Sequence, residues 1–344
     1  MNSVEEVLIH MKQVLIEEPF KVRVRQDAAI PTPKVGEALL QVMYCGICGA
    51  DLASYTGNQP FTTYPRVPGH EFSARIVDIP ENDKGLKPGD IVTCNPYFNC
   101  GKCYSCRRGF VNCCTDNQTM GVQRDGSFQE YITMPVQRIF SGKGLTARQL
   151  ALVEPFCIGH HGITRGNVQK GDKVLIVGAG PIGMFAMLSA KAIGAEVYMT
   201  DLLDGRLEKA AQMGADGVAN GKDPEALKNL NQKVTNGDGF DVCVECCGAP
   251  ETFLTYIDRA AFAGKIILIG NGNSILLKKE LNVFGSRNAY SSDFEQVIDI
   301  LASGKVDVEA LVSAEYPLDQ AGEAFEALRH NSGNLMKVVL KAAE

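Results

Sequence analysis

Several things are missing from this chain, and each absence excludes a class of function. No apolar stretch approaches the roughly 18 residues that a membrane-spanning helix needs, so none is expected. Basic runs never exceed pairs such as Arg107-Arg108 and Lys278-Lys279, and the net charge is −6. The electrostatic footprint of nucleic-acid binding is therefore absent. The opening run MNSVEEVLIHMKQVL contains acidic residues and no basic leader, so it does not read as a secretory signal. There is no internal repeat and no low-complexity tract. Twelve cysteines without an export signal are expected in a reducing cytoplasm, where thiolates stay free for metals.

What is present is an ordinary globular composition, 45% hydrophobic and 22% charged over 344 residues, enough for roughly two domains. The first half reads as short strands: Lys12 to Glu17, Lys21 to Arg25, Ala38 to Tyr44, Phe72 to Ile79, Asp90 to Asn95 and Gln129 to Pro135. Turn signals such as Lys87-Pro88-Gly89-Asp90 separate them, and a barrel-like β lobe is the simplest reading. Residues 1 to 10 read as a short helix or a loose extension. From Gly171 strands and helices alternate. Strands Lys173 to Val177, Glu196 to Thr200, Asp241 to Cys246 and Lys265 to Gly270 are spaced by helices Ile182 to Ile193, Arg206 to Met213 and Glu251 to Ala261. That alternation predicts a doubly wound parallel sheet and an α/β fold class. Helix Ser292 to Ala302 and strand Leu335 to Lys341 follow.

The most specific local pattern is Cys100, Cys103, Cys106 and Cys114, a C-x-x-C-x-x-C-x7-C run interrupted by Gly, Lys, Asn and Arg. Such turns aim thiolates at one centre, and four sulfurs close a tetrahedron around zinc with no open position. A redox or disulfide cluster and an iron–sulfur centre are the rival readings. A closed site holds a lobe together, so chemistry must lie elsewhere.

Strand Lys173 to Val177 runs into Gly178-Ala179-Gly180-Pro181-Ile182-Gly183 and then a helix. In that context the glycines fit a dinucleotide loop. Gly178 makes the turn, Gly180 admits the pyrophosphate, and Gly183 lets helix and strand pack closely. The helix N-terminus offers N–H groups and a positive dipole end to phosphates. Asp201 closes the next strand 23 positions after Gly178, where a carboxylate binds ribose hydroxyls and favours NAD. Arg206 nearby leaves a case for NADP, and Asp201 also reads as a helix N-cap. Cys48, His70 with Glu71, and Glu154 are further candidates for metal or acid–base work. Their separation in sequence gives no geometry.

Taken in order, Gly46-Ile47-Cys48-Gly49-Ala50-Asp51, Gly69-His70-Glu71, the cysteine lobe, Glu154-Pro155, the glycine loop and Asp201 resemble the zinc-dependent medium-chain dehydrogenase/reductase family over essentially the whole chain. The Gly-His-Glu and Glu-Pro forms resemble its polyol and threonine dehydrogenase branch. Gly57 to Phe61, Tyr64-Pro65-Arg66 and Ser286-Arg287-Asn288 resemble the bacterial sugar-acid oxidoreductases within it. The resemblance implies a GroES-like catalytic domain (1–156 and 292–344, with a structural-zinc lobe at 94–115) and a Rossmann domain at 157–291. It also implies two zincs per chain, NAD as cofactor, and a homodimer or homotetramer. Cys48 and His70 would hold the catalytic zinc with Glu71, and Glu154 would coordinate directly or through the zinc-bound water. Cys45 is the rival ligand in the first segment. The implied reaction is oxidation of a secondary alcohol on a sugar acid of the L-galactonate or L-gulonate type.

Two positions depart from the family pattern. Relatives carry a Ser or Thr where this chain has Ala50, and often a His at Ala53, side chains that normally relay the alcohol proton. Water, Glu154, Tyr55 and Thr56 are the substitutes the sequence offers. Arg287 matches a substrate-contacting arginine of polyol relatives and suits a carboxylate; a salt bridge between domains or subunits is the bland alternative. Asn288, Gln59 and Arg124 are further candidate substrate contacts. His160-His161 reads as bordering the cofactor or capping a helix, and Cys246-Cys247 as strand packing. Polyol and threonine dehydrogenases are the rival enzymatic readings, and a non-catalytic nucleotide-binding redox sensor is the rival of another class.

Overall fold

The computed structural model describes residues 10–249, 252–269, 282–331 and 333–343. The expected element at residues 1 to 10, the first residue of the helix expected from Glu251, the end of the strand expected at Gly270 and the pair Lys278-Lys279 fall wholly or mainly outside those residues. Two compact units emerge. One runs to Glu154 and resumes at Val308; the other is Pro155–Asp307.

In the first unit a seven-stranded sheet is ordered Val312–Pro317, Lys337–Lys341, Glu37–Gly46, Glu71–Asp78, Ile91–Cys94 and Ile139–Ser141, with Tyr131–Pro135 also pairing to Glu37–Gly46. Alternation explains the central strand. Ala38, Leu40 and Val42 are fully buried while Glu37, Leu39 and Gln41 are only partly so. A separate hairpin, His10–Glu18 with Lys21–Ala29, adds Val14 and Ile16 to the same core. The helix Ala321–Asn331, which the sequence reading missed, stacks Phe325 on Tyr55 at 5.0 Å between ring centres.

The second unit carries the expected doubly wound sheet, all parallel, in the order Gly217–Asn220, Glu196–Asp201, Lys173–Val177, Phe240–Glu245, Ala260–Leu268, Asn282–Gly285. Central Lys173–Val177 is a continuous apolar run because both of its faces are covered. The helix after it, Pro181–Ile193, opens with proline in its first turn and closes on left-handed Gly194, φ 94°. Strand Gly217–Asn220 and helix Pro224–Thr235 were not anticipated. The strand is only four residues long, with Val218 alone as a strong strand former, but the helix had a readable start in Asp223, whose side chain accepts from Glu225 and Ala226 N–H.

The expected boundary at residue 292 needs correction. The chain stays in the nucleotide unit to Asp307. Helix Ser291–Ala302 buries Phe294, Val297, Ile298 and Leu301, an i, i+3, i+4, i+7 stripe. It is also tied to helix Val153–Arg165 by His161 Nδ1 to Asp293 Oδ2 at 3.0 Å and His160 Nε2 to Gln296 Oε1 at 2.9 Å. These contacts give both histidines a packing role.

Candidate active site

Strand register builds the site. Gly46 lies opposite Glu71 on one side and Val339 on the other. A Cβ on Gly46 would sit 2.1 Å from Glu71 Oε2 and 3.1 Å from Lys337 Cε, so the absent side chain is what makes room there. Glu71 turns its carboxylate into that space and pairs with the Lys337 ammonium. Lys337 also donates to Ile47 O at 3.3 Å. The two side chains are 1% and 4% exposed, so this is a charge pair removed from water.

Two residues beyond Gly46, Cys48 precedes the helix Gly49–Tyr55. Asp51 in its first turn is fully buried and joins two segments. Oδ2 accepts from Cys48 N–H and Oδ1 from Gly69 N–H, both at 2.9 Å. Gly69 stands at φ +99°, where a Cβ would strike Phe128 at 2.3 Å, so only glycine delivers His70 at this point. One donor atom from each of Cys48, His70 and Glu71 then lies within 4.8 Å of the others. His70 Nδ1 is buried without a hydrogen bond, 3.8 Å from Asp51 Oδ1, the kind of outer carboxylate that orients a ligating histidine. Sulfur, imidazole and carboxylate donors converging in this way fit zinc. Cys45, the rival, is fully buried and donates its thiol to Ser127 O.

Glu154, in the first turn of helix Val153–Arg165, is 3% exposed and is not among the three clustered donors. The hydroxyl of Tyr97 donates to its Oε1. Burial pushes the Glu154 carboxyl up to about 7, with Glu71 adding to the effect while His70, Tyr97 and Lys337 oppose it. Of the other hydroxyls considered for the proton, Tyr55 donates to Glu326 and Thr56 Oγ1 to Leu52 O at 3.0 Å, so both are occupied elsewhere.

The four cysteines of the lobe converge, with Cys100, Cys103, Cys106 and Cys114 each contributing a sulfur within 4.8 Å of the rest. Neighbouring Cys113 is exposed and takes no part in the cluster. Backbone N–H groups point at the sulfurs: Cys100 N to Cys114 Sγ at 3.2 Å, Cys103 N to Cys100 Sγ at 3.3 Å. The N–H groups of Cys106 and Thr115 hold the Cys103 thiol down to about 5. Burial pushes the Cys114 thiol the other way, up to about 11, so it is the convergence of the four sulfurs that suits a closed zinc site.

In the second unit Gly183 explains the glycine loop most directly. A Cβ there would lie 1.8 Å from Gly178 O, so helix and strand meet only without one. Gly178, at φ +103°, donates its N–H to Thr200 O at 2.8 Å. Asp201 Oδ2 accepts from Ala179 N–H at 2.8 Å and lies 3.6 Å from Arg206 Nη1. It does not cap the following helix, Asp204–Gln212, whose N-cap is Leu203. A cavity of ≈380 Å³ opens here, lined by Gly178, Asp201, Leu203, Arg206, Cys247 and Thr252 among others, in the place a dinucleotide's adenosine end occupies in such sheets. Of the remaining candidates, Gln59 sits in the turn after helix Gly49–Tyr55 and bonds Ala53 O through its N–H. Arg124 stacks 3.6 Å over Phe98, beside a second cavity. Arg287 is exposed and Asn288 takes a positive φ of 51°, both just after strand Asn282–Gly285.

Comparison with known proteins gives this geometry its family. Residues 34–143 match the alcohol dehydrogenase GroES-like domain and residues 181–303 the zinc-binding dehydrogenase domain. L-Galactonate-5-dehydrogenase of Escherichia coli K12 is 34% identical over 334 residues, covering 95% of this chain and 98% of that protein. The chain belongs to the zinc-dependent medium-chain dehydrogenases. Within this family it is also similar to a sorbitol dehydrogenase of Halalkalibacterium halodurans, 34% identical over 92% of this chain and 94% of that one. Among solved structures, an alcohol dehydrogenase from E. coli CFT073 complexed with NADH superposes with a TM-score of 0.89 at 31% identity, covering 97% of this chain and 99% of that chain. The protein is thus a zinc-type dehydrogenase of the polyol and sugar-acid group, with GroES-like and Rossmann-like units. No helix among the described residues is long and apolar enough to cross a membrane.

Sequence reasoning missed Asp51, Tyr97 and Lys337. Asp51 stands inside one of the motifs, whereas Tyr97 and Lys337 lie in strands with no motif to mark them.

Proposed function

We propose that the protein oxidises a secondary hydroxyl of a sugar acid, of the L-galactonate or L-gulonate type, to the corresponding keto acid and passes the hydride to NAD. The observation that carries the reading is the Cys48–His70–Glu71 cluster, in which His70 and Glu71 are buried and Cys48 is partly so. Zinc at this cluster supplies Lewis acidity that makes a bound hydroxyl easier to deprotonate. Asp51 orients Cys48 and His70, Lys337 balances the charge of Glu71, and the buried Glu154 offers a carboxylate to take the proton. In the second unit the Gly178–Gly183 loop and the N-terminus of helix Pro181–Ile193 hold the pyrophosphate, and Asp201 accepts from the ribose hydroxyls. The Asp201 carboxylate repels a 2′-phosphate, which favours NAD over NADP.

The sugar-acid assignment rests on the likeness to L-galactonate-5-dehydrogenase and on Arg287, whose planar guanidinium matches a carboxylate. Equal identity to a sorbitol dehydrogenase favours a second reading, a neutral polyol. NADH formation from L-galactonate, L-gulonate, L-idonate, sorbitol, xylitol and L-threonine, with and without a chelator, decides between them. Chelator-sensitive turnover confined to aldonates, weakened by Arg287→Ala, is the expected result. Turnover on neutral polyols alone removes the carboxylate role of Arg287.

A further inference from the structure

Tyr97 has no place in the site as sequence reasoning drew it, yet it is bonded directly to Glu154. It is 6% exposed and its hydroxyl donates to Glu154 Oε1. Its backbone is fixed from several directions. Tyr97 N–H donates to the Asn95 side chain at 2.9 Å, and Arg138 Nη1 donates to Tyr97 O. Arg138 Nη2 reaches on to Asn99 Oδ1 at 3.0 Å, the residue before the first lobe cysteine. The next side chain, Phe98, lies under two guanidiniums, Arg124 at 3.6 Å and Arg138 at 4.5 Å. Tyr97–Phe98 pairs with Gln118–Thr119, and these two short strands flank Cys100–Cys114 as the neck of the lobe.

We propose that Tyr97 is a positioning residue: anchored in the neck of the cysteine lobe, it holds Glu154 outside the Cys48–His70–Glu71 donor set. This rests on the zinc-dehydrogenase reading of that set. The buried carboxylate is bonded to Tyr97 and is not one of the three donors lying within 4.8 Å of one another. Tyr97 claims one of its two oxygens. Tethered in this way, Glu154 is kept for the hydroxyl of water or substrate. Without the phenol, the carboxylate would be free to turn toward a dication beside it and join the ligand set. The lobe thereby gains a second task besides stability, because it fixes the strand from which Tyr97 reaches the carboxylate.

The test replaces the catalytic metal by cobalt and reads its visible spectrum, which reports the ligands directly and does not depend on turnover. Glu154→Gln should leave the wild-type spectrum unchanged, since Glu154 is not a ligand; a changed spectrum overturns the proposal without any Tyr97 variant. Tyr97→Phe should bind the same amount of metal, shift the spectrum, and lower kcat about tenfold to a hundredfold, the range for lost outer-shell partners, with KM for NAD unchanged. Adding Glu154→Gln to Tyr97→Phe should restore the spectrum, because the carboxylate that moved is gone. An unshifted Tyr97→Phe spectrum, or a shift that persists in the double variant, defeats the proposal. If no alcohol is turned over but these shifts appear, the proposed function fails and the role of Tyr97 stands. Wild-type turnover with a silent Tyr97→Phe has the opposite meaning.

Discussion

Replacing Lys337 by methionine isolates one electrostatic decision in the site. Methionine keeps an unbranched apolar stem of similar length and removes only the cation. Burial works against the Lys337 ammonium, but the charges of Glu71 and Cys48 outweigh it and raise its pKa above the ordinary value. The lysine is therefore charged, and its loss leaves Glu71 at 1% exposure with an unbalanced carboxylate. Removing one member of such a buried pair costs about 3–5 kcal/mol, whereas removing both is often neutral or better. Lys337→Met and Glu71→Gln should thus each destabilise the zinc-free protein, while the double variant is close to wild type and shows a coupling of several kcal/mol. Zinc brings its own positive charge to Glu71, so zinc loading should shrink the Lys337→Met cost. Because the two units need not unfold together, hydrogen exchange of the Glu37–Gly46 amides is the suitable assay. Additive single-variant costs, or a Lys337→Met cost that zinc leaves untouched, would refute the reasoning.

Further outcomes follow from other contacts. Gly183→Ala places a Cβ 1.8 Å from Gly178 O and should abolish NADH binding in a fluorescence titration while leaving metal content intact. Cys103→Ser should cost one metal equivalent by elemental analysis and lower the thermal midpoint, since a structural zinc contributes folding free energy. Glu154 has an ordinary value of 4.5 and is raised to about 7 by burial, so ionising it costs the folded chain more than the unfolded one. Its stabilising contribution in zinc-free protein is full below about 4.5 and is lost as pH rises through about 7. Relative to wild type, Glu154→Gln should gain roughly 3 kcal/mol across that window, read from urea unfolding at a series of pH values. A stability difference independent of pH would show that the carboxyl titrates normally.

The features legible in the sequence share one property: each is closed over a short stretch of chain. The cysteine lobe needs only its own turns to bring Cys100, Cys103, Cys106 and Cys114 together, and the backbone N–H groups that serve the sulfurs come from those same turns. The dinucleotide loop is likewise one strand, one turn and one helix, and the steric demand at Gly183 comes from Gly178 five positions earlier. Strand Lys173–Val177 was legible to the residue, because a continuous apolar run between turn signals has few alternatives. Element ends elsewhere slipped by a few residues. The boundary near residue 292 went astray because a helix pattern does not say which of two cores its stripe will meet.

The candidate catalytic cluster is of another kind. Its candidates were named from motifs, but nothing in their spacing brought Cys48 to His70 and Glu71, and Lys337 lies 290 positions from the carbonyl it meets at Ile47. Sheet register decided that proximity. Gly46 opposite Glu71, with Val339 across from it, turns a missing side chain into the space where Glu71 and Lys337 pair. Tyr97 was hidden for the same reason, since its importance comes from a hydrogen bond across 57 positions and from the neck that fixes it. Composition, turns and short-range spacing determined the two units' classes, the cysteine lobe and the cofactor loop, because local backbone geometry constrains them. Which charges share a buried space depends on pairing between distant strands, and that only the tertiary structure decided.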